Sequence, residues 1–117
     1  MKQLLFILIA SISFSCHSQN CVTLPNSYKS YNEAIARVEN SNFKISESIN
    51  TSRSSWIRKA HYYSCDGQKG YFIIQENDKT YIHANVPISI WQDFKNAVSF
   101  GSYYDHYIRH KFPLYLN

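Results

Sequence analysis

Hydrophobic positions change their spacing several times along the chain, and each change marks an element. Leu4 to Ile12 is a nearly continuous apolar run behind Lys2. It is shorter than the roughly 20 residues a bilayer span needs, and it has the grammar of an export signal. After a polar lead-in, Ser30 with Glu33 three positions on forms a capping box. Ala34, Ile35 and Val38 then recur at helical steps, which predicts a short amphipathic helix over 31–40. From Phe43 the period drops to two. Phe43, Ile45, Glu47 and Ile49 alternate with Lys44, Ser46 and Ser48, as on a half-buried strand, until the polar break at 50–53.

Residues 55–63 favour β structure, and the stretch from Ser64 to Gly70 carries turn chemistry in Asp66 and Gly67. Residues 71–75 are a dense apolar strand, Asn77-Asp78 centres a second turn, and 80–86 is a third strand. Three antiparallel strands in succession follow from this order. Pro87, with its fixed φ and missing N–H, suits the first turn of a helix whose face carries Ile90, Phe94, Ala97 and Val98. Gly101 is placed to end that helix and Ser102 to cap another, in which Tyr104, Tyr107, Ile108 and Lys111 recur before Phe112-Pro113 stops it. The predicted class is α+β: a small antiparallel sheet of three to four strands, two C-terminal helices packed on one face, and a short N-terminal helix.

Composition narrows the functional classes. A chain of 117 residues is one domain's worth and too short for a barrel of eight βα units or a two-domain dinucleotide enzyme. With only 3 Gly and 3 Pro, 16% aromatic residues and a net charge of +4, it is neither collagen-like nor an acidic disordered tail. Basic and acidic residues balance over 20–52, so the surplus lies in 53–117.

Two processing points are open for a signal peptide over 1–18. One lies before Cys16, where Ser13-Phe14-Ser15-Cys16 is similar to a bacterial lipobox and would lipidate Cys16; the other lies before Gln19. Either leaves Cys21 and Cys65 as an even pair, and an oxidising compartment favours joining them. The bond would close a loop of about 45 residues and contribute roughly 3–4 kcal/mol in the chain-entropy account. Unrelated thiols are the alternative, and zinc is disfavoured because neither cysteine has a C-x-x-C partner or a nearby His pair. The expected location is the cell envelope or outside it, secreted, periplasmic or lipid-anchored, with a partner there.

Over roughly residues 53–113 the chain resembles the KTSC domain. That family is named for a region at the C-terminus of some lysyl-tRNA synthetases, and it also occurs as small free-standing bacterial proteins. The resemblance rests on Ser54-Ser55-Trp56-Ile57 with Tyr62 after it, Tyr81-Ile82-His83 followed by Val86-Pro87, and the spacing of Phe94, Ala97, Ser99 and Gly101. Tyr103, Ile108, Arg109 and Phe112 complete it. His83 stands where the family pattern usually has a second Tyr, and residues 19–52 form an N-terminal extension. The family carries little information on activity beyond a suggestion of RNA binding.

Aromatic faces beside basic side chains hold single-stranded nucleic acid, and Trp56, Arg58, Tyr62, Tyr81, His83, Arg109 and Lys111 have the right chemistry for a binding face. Two facts weigh against RNA: an export signal, and acids interleaved with the bases so that no stripe forms. The competing assignment places Tyr62, Tyr81, Ile90, Phe94 and Ile108 in the core. A hydrolase or nuclease would need His61 and His83 on one sheet face with Lys59 or Arg109 as a phosphate clamp. His106 and His110 at i and i+4 are a two-ligand metal candidate lacking a third. No catalytic motif, cofactor loop or complete metal set is present. The expected role is a non-catalytic binding module with no cofactor.

Overall fold

The computed structural model describes residues 19–117. The expected signal peptide, with its two candidate cleavage points and the expected lipidation of Cys16, falls outside the described residues. The chain opens with β1 (Gln19–Asn20), which pairs in parallel with β2 (Ser41–Asn42), and a single 3-10 turn at Cys21–Thr23. Helix α1 (Tyr31–Glu39) begins at the capping Ser30, whose Oγ accepts the Glu33 N–H at 3.0 Å. The Glu33 carboxylate reaches back to the Lys29 N–H at 2.8 Å. Four antiparallel strands follow in the order β3 (Ile45–Ile49), β4 (Ile57–Ser64), β5 (Lys69–Glu76) and β6 (Lys79–Pro87). Because β3 pairs along β4 from Ile45 opposite Ser64 to Ile49 opposite Ala60, the N-terminal extension is built into the main sheet.

Alternation of side chains across the strands gives the sheet two apolar faces. On one, Tyr62, Phe72, Ile74 and Val86 meet Trp91 and Phe94 of α2 (Ile88–Lys95) and Tyr104 of α3 (Phe100–Tyr107). On the other, Tyr63, Ile73 and Ile82 meet Tyr28, Ala34 and Val38 around α1, with Leu114 from the tail. The result is three layers, with the two C-terminal helices on one face as expected and α1 on the opposite one. After α3 the chain crosses the outer edge of β6, where Phe112 C=O accepts the Ala84 N–H at 3.1 Å. It then pairs with Tyr28 on the α1 side. The sulfur atoms of Cys21 and Cys65 are at bonding distance, with Cα atoms 5.9 Å apart, so the lead-in is tied to the β4–β5 turn.

The two C-terminal helices differ from the expected boundaries. Helix α2 ends at Asn96, whose backbone and side-chain amides both bond Gln92 C=O, and Pro87 is its N-cap residue. Ser99 caps α3 by accepting the Ser102 N–H, so Ser102 is a donor where a cap was expected. Gly101 lies inside α3 and ends nothing. It is buried because the Trp56 indole fills the space beside its Cα: a Cβ there would stand 2.5 Å from the ring. Its smallness, not its backbone freedom, is what the position uses. Val98, expected on the buried face, is 96% exposed because the helix has already ended. No helix among the described residues is long and apolar enough to cross a membrane.

Candidate functional site

The seven residues with nucleic-acid-like chemistry do not form one face. Tyr62 is fully buried, stacked on Trp91 with its hydroxyl donating to Val86 C=O, so its ring faces the core. Trp56 packs edge-on against Tyr104 and beside Gly101. Arg58 borders a shallow hollow with Ile49 and Thr51, and Lys111 is exposed on the tail. Tyr81, His83 and Arg109, by contrast, do meet: all three line one groove of about 630 Å³ at the outer edge of β6.

Three segments distant in sequence build that groove. β6 forms its floor, Ser30 to Asn32 at the start of α1 form one wall, and Tyr104 to Leu114 form the other. The two-residue turn Asn77–Asp78 sets where β6 begins, with Asn77 at φ 54°. Tyr31 and Tyr81 remain 53% and 39% exposed, so two aromatic rings border the opening. Arg109 is already bound, its Nε to Asp105 at 2.8 Å and its Nη2 to Glu76 at 3.1 Å, and its guanidinium lies over the Tyr104 ring. Of the lining residues only Arg109 carries a permanent charge, and two carboxylates compensate it.

Beneath the groove, His83 Nε2 and the Tyr104 hydroxyl share a buried hydrogen bond of 2.7 Å. Burial, helped by the charges of Arg109 and His110, pushes the His83 pKa down to about 4. Burial also pushes the Tyr104 phenol up. Both groups are therefore neutral at pH 7, and neither is poised to exchange a proton there, where a general base is most effective. Tyr104 was legible in the sequence only as a position recurring at helical steps. Its partnership with His83 joins residues 21 apart and has no local signature.

The histidine pairs considered for chemistry do not assemble. His61 pairs with Ile73 while His83 pairs with Phe72, one position out of phase, so the two lie on opposite faces of the sheet. His61 stacks on Tyr63 under α1's side and touches Ser46 Oγ through Nε2 at 3.0 Å. His106 is in α3, but that helix ends at Tyr107 and His110 adopts φ 66°, so the expected helical i,i+4 pairing is absent. Among the described residues there is no group of three side chains arranged to hold a metal ion.

Comparison with curated proteins and with solved structures found no match. The family model described as the KTSC domain matches residues 53–112, and these carry β4 to β6, both C-terminal helices and the groove except for its α1 wall and Pro113 and Leu114 of the tail. That span is more than half of the 117-residue chain, and the protein belongs to the KTSC family.

Proposed function

We propose that this protein is an exported, non-catalytic binding module whose ligand occupies the groove at the edge of β6. The observation that carries this reading is the groove itself. It gathers exposed Tyr31 and Tyr81, backbone of an edge strand and a charge-compensated Arg109 into one concavity, the arrangement by which small sites combine apolar contact with a few fixed polar groups. Neutral, mutually bonded His83 and Tyr104 support a holding role over a proton-transfer role. The Cys21–Cys65 pair supports an oxidising compartment.

Two measurements test it. Intact mass of the protein from its own cells is expected to show a chain starting at Cys16 or Gln19 that gains two hydrogens on reduction; an unprocessed, reduced chain overturns export. NMR titration of the processed, oxidised protein with a chito-oligosaccharide, a single-stranded oligonucleotide and a pool of random octapeptides reads the site. Shifts from at least one probe converging on Tyr81, His83 and Arg109, weakened in Tyr81→Ala, are expected. Silence of the groove toward all three, or chemical conversion of a probe, overturns the binding role. Nucleic acid is the second reading, favoured only by aromatic residues beside Arg109. Its ligand would have to displace Glu76 or Asp105 to use that charge.

A further inference from the structure

The outer edge of β6 is only partly used by the chain. In an antiparallel hairpin closed by two residues, the flanking pair exchanges hydrogen bonds and the in-plane direction then alternates. Glu76 and Lys79 flank the turn, so Lys79, Tyr81 and His83 bond toward β5, opposite Glu76, Ile74 and Phe72. Thr80, Ile82 and Ala84 therefore present their N–H and C=O groups outward. Ala84 confirms the direction, because its N–H meets the Phe112 carbonyl of the chain's own tail. The tail then leaves: Pro113 has no N–H to offer, and the next pairing is between Leu116 and Tyr28 on the α1 side. Among the described residues, nothing bonds the outward groups of Thr80 and Ile82. These groups form the floor of the groove, and Ile82 is only 5% exposed, so its outward amide lies at the bottom of a concavity.

Buried backbone donors and acceptors are almost always paired, and an open strand edge is a template for another strand. We infer that the free edge of β6 receives an extended segment of another polypeptide as an added strand, continuing the contact that the tail begins at Ala84; this rests on the binding role proposed above. Such a segment covers Thr80 and Ile82 with about four residues, roughly 13 Å of chain. Its alternate side chains turn toward Tyr81 and Tyr104 on one side and toward Tyr31 and Asn32 on the other. Charge favours this occupant over a polyanion, since Arg109 is compensated and the unused groups are amides. Shape favours a single segment over a second copy of the sheet, because walls from α1 and from 104–114 rise on both sides of the edge.

The test selects unconstrained dodecapeptides from a random library on the processed, oxidised protein and synthesises the tightest binder. Two derivatives carry N-methyl groups on alternate amides, one in each register. Methylation in one register is expected to weaken binding by tenfold or more and in the other to leave it nearly unchanged, about the worth of one or two hydrogen bonds. The Ile82 amide should become protected from exchange. Thr80→Pro removes an outward N–H without touching the β5 ladder, and is expected to weaken binding about tenfold with the remaining amide spectrum intact. If that variant misfolds, the N-methyl series decides alone. Equal effects of both registers, or binding away from β6, overturn strand addition while leaving a groove that binds through side chains. Failure of all peptides while an oligosaccharide or oligonucleotide perturbs the groove overturns the inference and keeps the binding role; silence toward every probe overturns both.

Discussion

His83 shows how one side chain links the sheet to its helix layer and to pH. Its ring lies between Phe72 and Tyr104, bonded to the latter, and burial holds its pKa down at about 4 against the ordinary value of 6.5. Between those values the unfolded chain binds the proton and the native one does not, so stability rises with pH through this window and falls on acidification. The loss is expected to approach about 3 kcal/mol by pH 4. His83→Gln keeps an acceptor for Tyr104 and removes the titration. Urea unfolding at pH 7 and pH 4.5 should therefore show a smaller acid loss in the variant; equal losses would locate the sensitivity elsewhere. Gly101 is the other residue whose role is geometric. Gly101→Ala forces a methyl into the Trp56 ring and is expected to cost roughly 1–3 kcal/mol. That cost should shrink when the same change is made in a Trp56→Ala background, measured as a double-mutant cycle.

Element by element, what was legible depended on whether the signal was local. The capping box at Ser30 and the turn at Asn77-Asp78 fix their elements through residues three or fewer apart, and both appear where the pattern places them. The α2–α3 junction was misplaced because Gly101 offers the usual sign of a helix end, while its real constraint is an indole 45 positions away in sequence. The cap assignment separates the two descriptions. Ser99→Ala is expected to lose about 1 kcal/mol through the orphaned Ser102 N–H, whereas Ser102→Ala should stay within about 0.5 kcal/mol. Comparable losses at both positions would contradict Ser99 as the cap. The opposite sheet edge, β3, shows how an edge can be guarded: Glu47 at its centre is held by the Trp91 indole N–H and by Lys95 at 2.8 Å. A charged residue in mid-strand disfavours pairing with another chain. β6 has no such guard at Thr80 and Ile82.

For the molecule as a whole, the groove was not legible because no two of its walls are neighbours in sequence; it exists only once α1 and the tail flank the edge of β6. The pairing of Cys21 with Cys65, whose sulfur atoms lie at bonding distance, was legible, since these two cysteines remain once the expected signal region is set apart. Cys21 and Cys65 are 44 residues apart and enclose α1, β2, β3 and all of β4. A link of this span acts chiefly by restricting the unfolded chain, so its loss is expected to lower global stability by roughly 3–4 kcal/mol. That is a large share of the roughly 5–15 kcal/mol a domain typically has. The alternative is a local tether that only holds the short β1–β2 pair and the lead-in against the β4–β5 turn. Hydrogen exchange on the oxidised protein and on Cys21→Ser/Cys65→Ser distinguishes them. If the link acts through the unfolded state, the slowest amides of β4, β5 and β6 exchange together, faster by a factor of about 10²–10³. If instead residues 19–42 alone speed up while the central strands keep their protection, the disulfide is a local clasp and the sheet stands without it.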